Sequence, residues 1–100
     1  MSSVLRFNFD GDGDRESVES DMGLAIFAAE CVYGRPRVRM EAAYEVDGNG
    51  TACVLNVSGE AGDAVARLFA GFSAARVGET GYNVRSLRAD QSLEGVIAKA

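Results

Sequence analysis

From Ser3 to Phe9 apolar and polar positions alternate. Leu5, Phe7 and Phe9 fall on one side and Val4, Arg6 and Asn8 on the other, the period-two signature of a half-buried strand. Asp10-Gly-Asp-Gly-Asp14 interrupts it. From Asp14, a good N-cap residue, the period lengthens to that of a helix reaching about Tyr33, with acidic first turns suited to the positive end of the helix dipole. Gly34-Arg35-Pro36 is expected to stop that helix.

The clearest alternation runs from Arg37 to Val46 and predicts a second strand. Val38, Met40, Ala42, Tyr44 and Val46 share one face; Arg37, Arg39, Glu41, Ala43 and Glu45 share the other. Asp47-Gly-Asn-Gly50 then predicts a hairpin turn, because Asn-Gly tolerates the positive φ that tight turns demand. Thr51 to Ser58 returns with Cys53, Leu55 and Val57 on one face. A turn centred on Asn49-Gly50 opposes Val46 to Cys53, Tyr44 to Leu55 and Ala42 to Val57. A one-residue slip would separate those apolar faces.

Ser58 or Gly59 can cap a second helix over about Glu60 to Val77. Its expected inner stripe is Ala61, Val65, Leu68, Phe72 and Ala75, with Phe69 at the edge and Arg67, Ala70, Ser73 and Ala74 opposite. Gly78 ends it. Tyr82 to Leu87 predicts a fourth strand, and Gln91 to Lys99 a short terminal helix on Leu93, Val96 and Ile97. The order is strand, helix, strand, strand, helix, strand. It predicts an α+β, ferredoxin-like βαββαβ two-layer sandwich: an antiparallel sheet, two helices on one face and a short C-terminal helix. The 100 residues suit one domain, 1–100, without repeat or linker. Such a fold licenses no function by itself.

Composition changes the picture mainly by subtraction. Hydrophobic residues at 47% and charged residues at 25% are ordinary globular values and argue against disorder. No apolar run approaches the roughly 20 residues of a membrane helix. The first residues lack the plan of a signal peptide, so a cytoplasmic location without membrane contact is expected. The chain has no histidine and two cysteines, Cys31 and Cys53, which form no CxxC pair. The usual zinc sites, the commonest general base and the serine–histidine and cysteine–histidine pairs are thereby excluded. No cofactor is expected, and the balance leans away from an enzyme. Both cysteines lie in apolar segments and read as small core hydrophobes.

Charge is concentrated in one place. Net charge is −5, and residues 10–21 hold Asp10, Asp12, Asp14, Glu16, Glu19 and Asp21 against Arg15, while the remainder balances. The spacing of these acids is similar to a calcium loop of the EF-hand type and makes Asp10, Asp12 and Asp14 a weak metal candidate. Arg15 stands where that loop wants glycine, Asp21 where it wants glutamate, and a strand precedes it. A polar strand-to-helix connection is the simpler reading, so no metal is expected. It leaves an acidic surface suited to a basic protein partner.

Two further features bear on partners. The sheet face away from the helices is expected to carry Arg6, Asn8, Arg37, Arg39, Asn56, Asn83 and Arg85. RNA platforms on such faces need exposed aromatics, and here Phe7, Phe9 and Tyr44 take the core parity, which makes nucleic acid an unfavoured partner. The first helix is apolar on two sides: ten of the twelve residues from Met22 to Tyr33 are hydrophobic. Val18, Met22, Ile26, Ala29 and Tyr33 form one stripe. Leu24, Phe27, Ala28 and Cys31 form another, expected to meet either the terminal helix or a second chain.

Gly59-Glu-Ala-Gly62, Ala70-Gly71 and Val77-Gly78-Glu79, with Ala25-Ile26 and Ala28-Ala29, resemble helices of bacterial microcompartment shell proteins. The resemblance covers roughly half the chain and implies a self-assembling structural role. The interval from Ala70-Gly71 to Val77-Gly78 is one residue short of that pattern, the Asp-Gly loop is long, and the basic tile-edge residue is missing.

The expectation is a small non-enzymatic association module that binds itself, as a homodimer or higher oligomer, and a larger protein partner. Three alternatives stand beside it: an acidic phage-type inhibitor of a nucleic-acid machine, a shell-like structural protein, and an enzyme or small-ligand binder using carboxylates.

Overall fold

The alternation at the start of the chain becomes strand β1 (Ser2–Phe9), whose Phe7 and Phe9 enter the core from one face. The computed structural model describes residues 2–9, 15–47, 50–78 and 80–87. Within them follow α1 (Arg15–Tyr33), α2 (Arg35–Glu41), β2 (Ala42–Val46), β3 (Ala52–Ser58), α3 (Gly59–Val77) and β4 (Tyr82–Leu87). The expected cap at Asp14 and the expected helix over 91–99 lie outside the described residues.

The architecture is α+β: a four-stranded antiparallel sheet in the order β2-β3-β1-β4 with three helices. β3 stands between β1 and β2, and β1 between β3 and β4. Each helix-bearing connection therefore passes over one antiparallel strand. α1 and α3 pack on each other, and on the sheet face carrying Phe7, Phe9, Cys53, Leu55 and Val57. Phe69 of α3 meets Phe7 edge-on at 4.8 Å and Phe9 at 6.3 Å. Opposed ring edges and faces favour that geometry over a flat sandwich.

The hairpin has the expected register. Val46 pairs with Cys53, Tyr44 with Leu55 and Ala42 with Val57. Asp47 holds the turn: its carbonyl accepts from the Gly50 amide at 3.1 Å and its carboxylate accepts from the Thr51 amide and hydroxyl.

The segment before it corrects the sequence reading. Arg35–Glu41 is a helix, so the strand begins at Ala42 and not at Arg37. Gly34 supplies φ 88° at the junction and Pro36 sits in the first turn, where a missing amide costs nothing. Arg37 and Glu41, expected on one face of a strand, are instead an i,i+4 ion pair at 2.9 Å on a helix. Val38 is buried as a helix residue, while Met40, expected beside it in the core, is exposed.

α3 begins as expected but is turned. Its buried residues are Ala61, Gly62, Val65, Phe69 and Ser73, with Leu68 and Phe72 half-buried and Ala75 exposed. At 100° per residue this stripe lies roughly 70° from the predicted one. Two contacts set the rotation. Phe69 fills the space over Phe7, and Gly62 lies so close to α2 that a Cβ there would collide with the Glu41 carbonyl oxygen. Ser58 occupies the N-cap without a side-chain bond, and the Glu41 carboxylate takes its place by accepting from the amides of Ala61 at 2.9 Å and Gly62 at 3.3 Å.

Candidate functional site

α1 has two faces of different fate. Val18, Met22, Ala25 and Ala29 are buried, with Ile26 and Tyr33 packed at the margin, so this stripe covers the core as its spacing predicts. On the other flank Leu24 is 52% exposed, Phe27 65% and Val32 75%. Cys31 beside them is exposed and Ala28 half-buried. Leu24, Phe27 and Cys31 recur at the i, i+3, i+7 positions of a single helix face. Gly23 opens onto the same side, with nothing within 4 Å of the place a Cβ would occupy. Between Met22 and Ala29 the helix carries no charged side chain.

The borders of this flank are charged. Glu16 and Glu19 lie exposed at its N-terminal end, where Arg15 pairs with Glu19 at 2.7 Å. Glu30 lies on its far side, 4.0 Å from Arg39 of α2. Beyond Glu30 a shallow groove of about 540 Å³ runs along the β2 edge, lined by Ile26, Glu30, Val38, Arg39, Ala43 and Tyr44 among others.

Of the expected acidic surface, the structure describes Glu16, Glu19 and Asp21. Asp10, Asp12 and Asp14 lie outside the described residues. Asp21 does not face a partner: it is buried and bonded to Arg76 of α3 at 2.7 Å, with the Arg76 guanidinium also 5.7 Å from the Phe9 ring centre. Glu16 and Glu19 keep the solvent-facing role. Among the described residues no group of three or more His, Cys, Asp and Glu could hold a metal ion.

The opposite sheet face holds Arg6, Asn8, Asn56, Asn83 and Arg85 by register, as expected. Arg37 and Arg39 do not belong to it, because both lie on α2. Arg6 bonds to Asn8 at 3.0 Å and Asn8 to Asn83 at 3.3 Å, which ties these polar groups to one another. Phe7 and Phe9 face the helices, so neither is available there for base stacking.

The cysteines part company. Cys53 is fully buried, as expected, and burial pushes its thiol up to about 12, with Asp47 adding to the shift. It is inert as a nucleophile at neutral pH. Cys31 is not a core residue; it sits in the exposed flank. Val32 and Met40 are exposed apolar residues that periodicity alone does not find. Val32 lies in the last turn of α1, and Met40 lies on α2, where the strand alternation of its segment predicts the wrong face.

No protein-family model matches the chain, and no curated protein matches it. The likeness to shell-protein helices therefore stands on its short segments alone. Among the described residues no helix is long and apolar enough to cross a membrane.

Proposed function

We propose that this protein is a small association module that pairs with a second copy of itself through the outer flank of α1. The observation that supports this reading is the run of exposed apolar side chains Leu24, Phe27, Cys31 and Val32. Leaving such surface in water is unfavourable, and contiguous apolar patches on soluble domains mark interfaces. A second copy suits it better than a partner of other chemistry. The flank carries no charge to be matched, and a protruding Phe27 lies one turn from the open Gly23. A two-fold axis crossing α1 would set each Phe27 against the partner's hollow at Gly23, and such isologous contacts are the commonest oligomer solution.

The finer fold name we attach is ferredoxin-like, with α2 as an added turn before β2. It is supported by the two connections that each pass over one antiparallel strand. The reading extends to a second, basic protein partner at the acidic end of α1. Exposed Glu16 and Glu19 support that part, as does the near balance of charge in the rest of the sequence.

Phe27→Asp tests the self-association. Its side chain faces solvent, so the fold should survive with an unchanged circular dichroism spectrum and thermal transition. Light scattering at matched concentration should then show the native protein as an oligomer and the variant as a monomer. A variant that keeps the native mass would refute the assignment of the flank.

A further inference from the structure

Arg6 of β1 and Arg85 of β4 stand directly opposite each other on the sheet face away from the helices. Cross-strand neighbours of like charge repel, and such a pair destabilises a sheet. Among the described residues neither arginine has an acidic partner. Of the residues that the four strands place on this face, only Glu45 is acidic, and Val54 stands between it and Arg6. Two strand spacings, about 10 Å, separate their backbones. The β1–β4 half of the face therefore carries a double positive charge that the described residues do not neutralise.

The row beside the pair is polar and oriented. Asn8 and Asn83 oppose each other in the same register. Arg6 Nε donates to Asn8 Oδ1 at 3.0 Å, and Asn8 Nδ2 donates to Asn83 Oδ1 at 3.3 Å. This chain holds the Arg6 head in place. It leaves the Arg6 terminal nitrogens, the Arg85 guanidinium and the Asn83 amide nitrogen as the donors of the patch. Arg85 and Asn83 are exposed and Arg6 is half-buried.

We infer that this patch binds the phosphate monoester of a small molecule between the Arg6 and Arg85 guanidiniums, with Asn83 as a further donor. Charge sets the class. A phosphate monoester carries about −1.5 to −2 at pH 7 and offers strong acceptor oxygens, which suits two guanidinium forks and an amide. A carboxylate neutralises one arginine and leaves the other. A long polyanion is opposed by the net charge of −5 and finds no aromatic here on which to stack its bases, since Phe7 and Phe9 face the helices. The site shares no residue with the outer flank of α1, so it stands or falls separately from self-association.

Amide chemical-shift titration of the full-length chain with inorganic phosphate, at an ionic strength held constant with chloride, tests this. Saturable shifts are expected at Arg6, Asn8, Asn83 and Arg85, with affinity lowered about tenfold or more by Arg85→Gln. Shifts that do not saturate, or that fall elsewhere, would overturn the site. A single-stranded oligonucleotide that binds these residues more tightly than phosphate would make the face a nucleic-acid surface. A phosphoserine peptide that does so would put the phosphate on a protein, and either result refutes a small-molecule ligand. Thermal melts supply a second measurement. In chloride Arg85→Gln should raise Tm, because the repulsion is relieved. Phosphate should raise the Tm of the native protein more than that of the variant, which reports the general effect of the salt. A variant less stable than the native protein in chloride, or an equal response to phosphate in both, would contradict the assignment.

Discussion

Phe69 is the residue on which the two layers meet. It is fully buried and touches both core phenylalanines of β1. Phe69→Ala should cost about 3–5 kcal/mol, the range for deleting a buried aromatic. That is a large share of the 5–15 kcal/mol by which domains are stable. Urea unfolding followed by circular dichroism checks it, and a loss under about 1 kcal/mol would mean that the site collapses around the gap. Its central position was not legible in the sequence. Periodicity puts Leu68 and Phe72 in the inner stripe and Phe69 only at its edge, whereas the choice among them depends on which side chain fits over Phe7. The cysteines carry the same lesson. Cys31 and Cys53 both sit in apolar strings, but one string is a central strand and the other a helix with two apolar sides, only one of which the core needs.

At the scale of elements, the β2–β3 hairpin was legible to the residue because two signals agree. Turn chemistry at Asn49-Gly50 and the alternation on both arms demand one register. α2 was not legible because its signals conflict. Arg37, Val38, Arg39 and Met40 alternate like a strand, and Pro36 reads as a stop when it is the first turn of a new helix. The deciding contact is tertiary: the Glu41 carboxylate caps α3, twenty residues away in sequence. Arg37 holds that carboxyl below its ordinary range, the Gly62 and Ala61 amides help, and partial burial opposes them. A lowered carboxyl pKa contributes stability that is fully present above the unfolded-chain value and is lost as pH falls through the folded one. Stability should therefore hold at neutral pH and decline on acidification to and below the usual glutamate range. Glu41→Gln should lower Tm at pH 7 and flatten that decline. Parallel melts of both proteins across the acid range check it, and equal slopes would deny Glu41 this role.

At the scale of the whole molecule, the sequence disclosed that α1 had more apolar surface than one contact could use, but not where the excess would go. Topology supplies the answer: α3 and the sheet take one stripe, and Leu24, Phe27, Cys31 and Val32 are left outward. The sequence also suggested a broad acidic surface, and folding withdraws Asp21 from it to neutralise Arg76 between the two long helices. Partly buried, such a charge is far more stable with a partner than without one. The resulting surface joins an uncharged, apolar helix flank to an acidic end, which is why we read the molecule as one that meets other chains. Sedimentation equilibrium of the native protein over a hundredfold range of concentration tests this most directly. The account predicts a mass that rises from one chain to two along a single monomer–dimer isotherm; the mass of one chain at every concentration would contradict it.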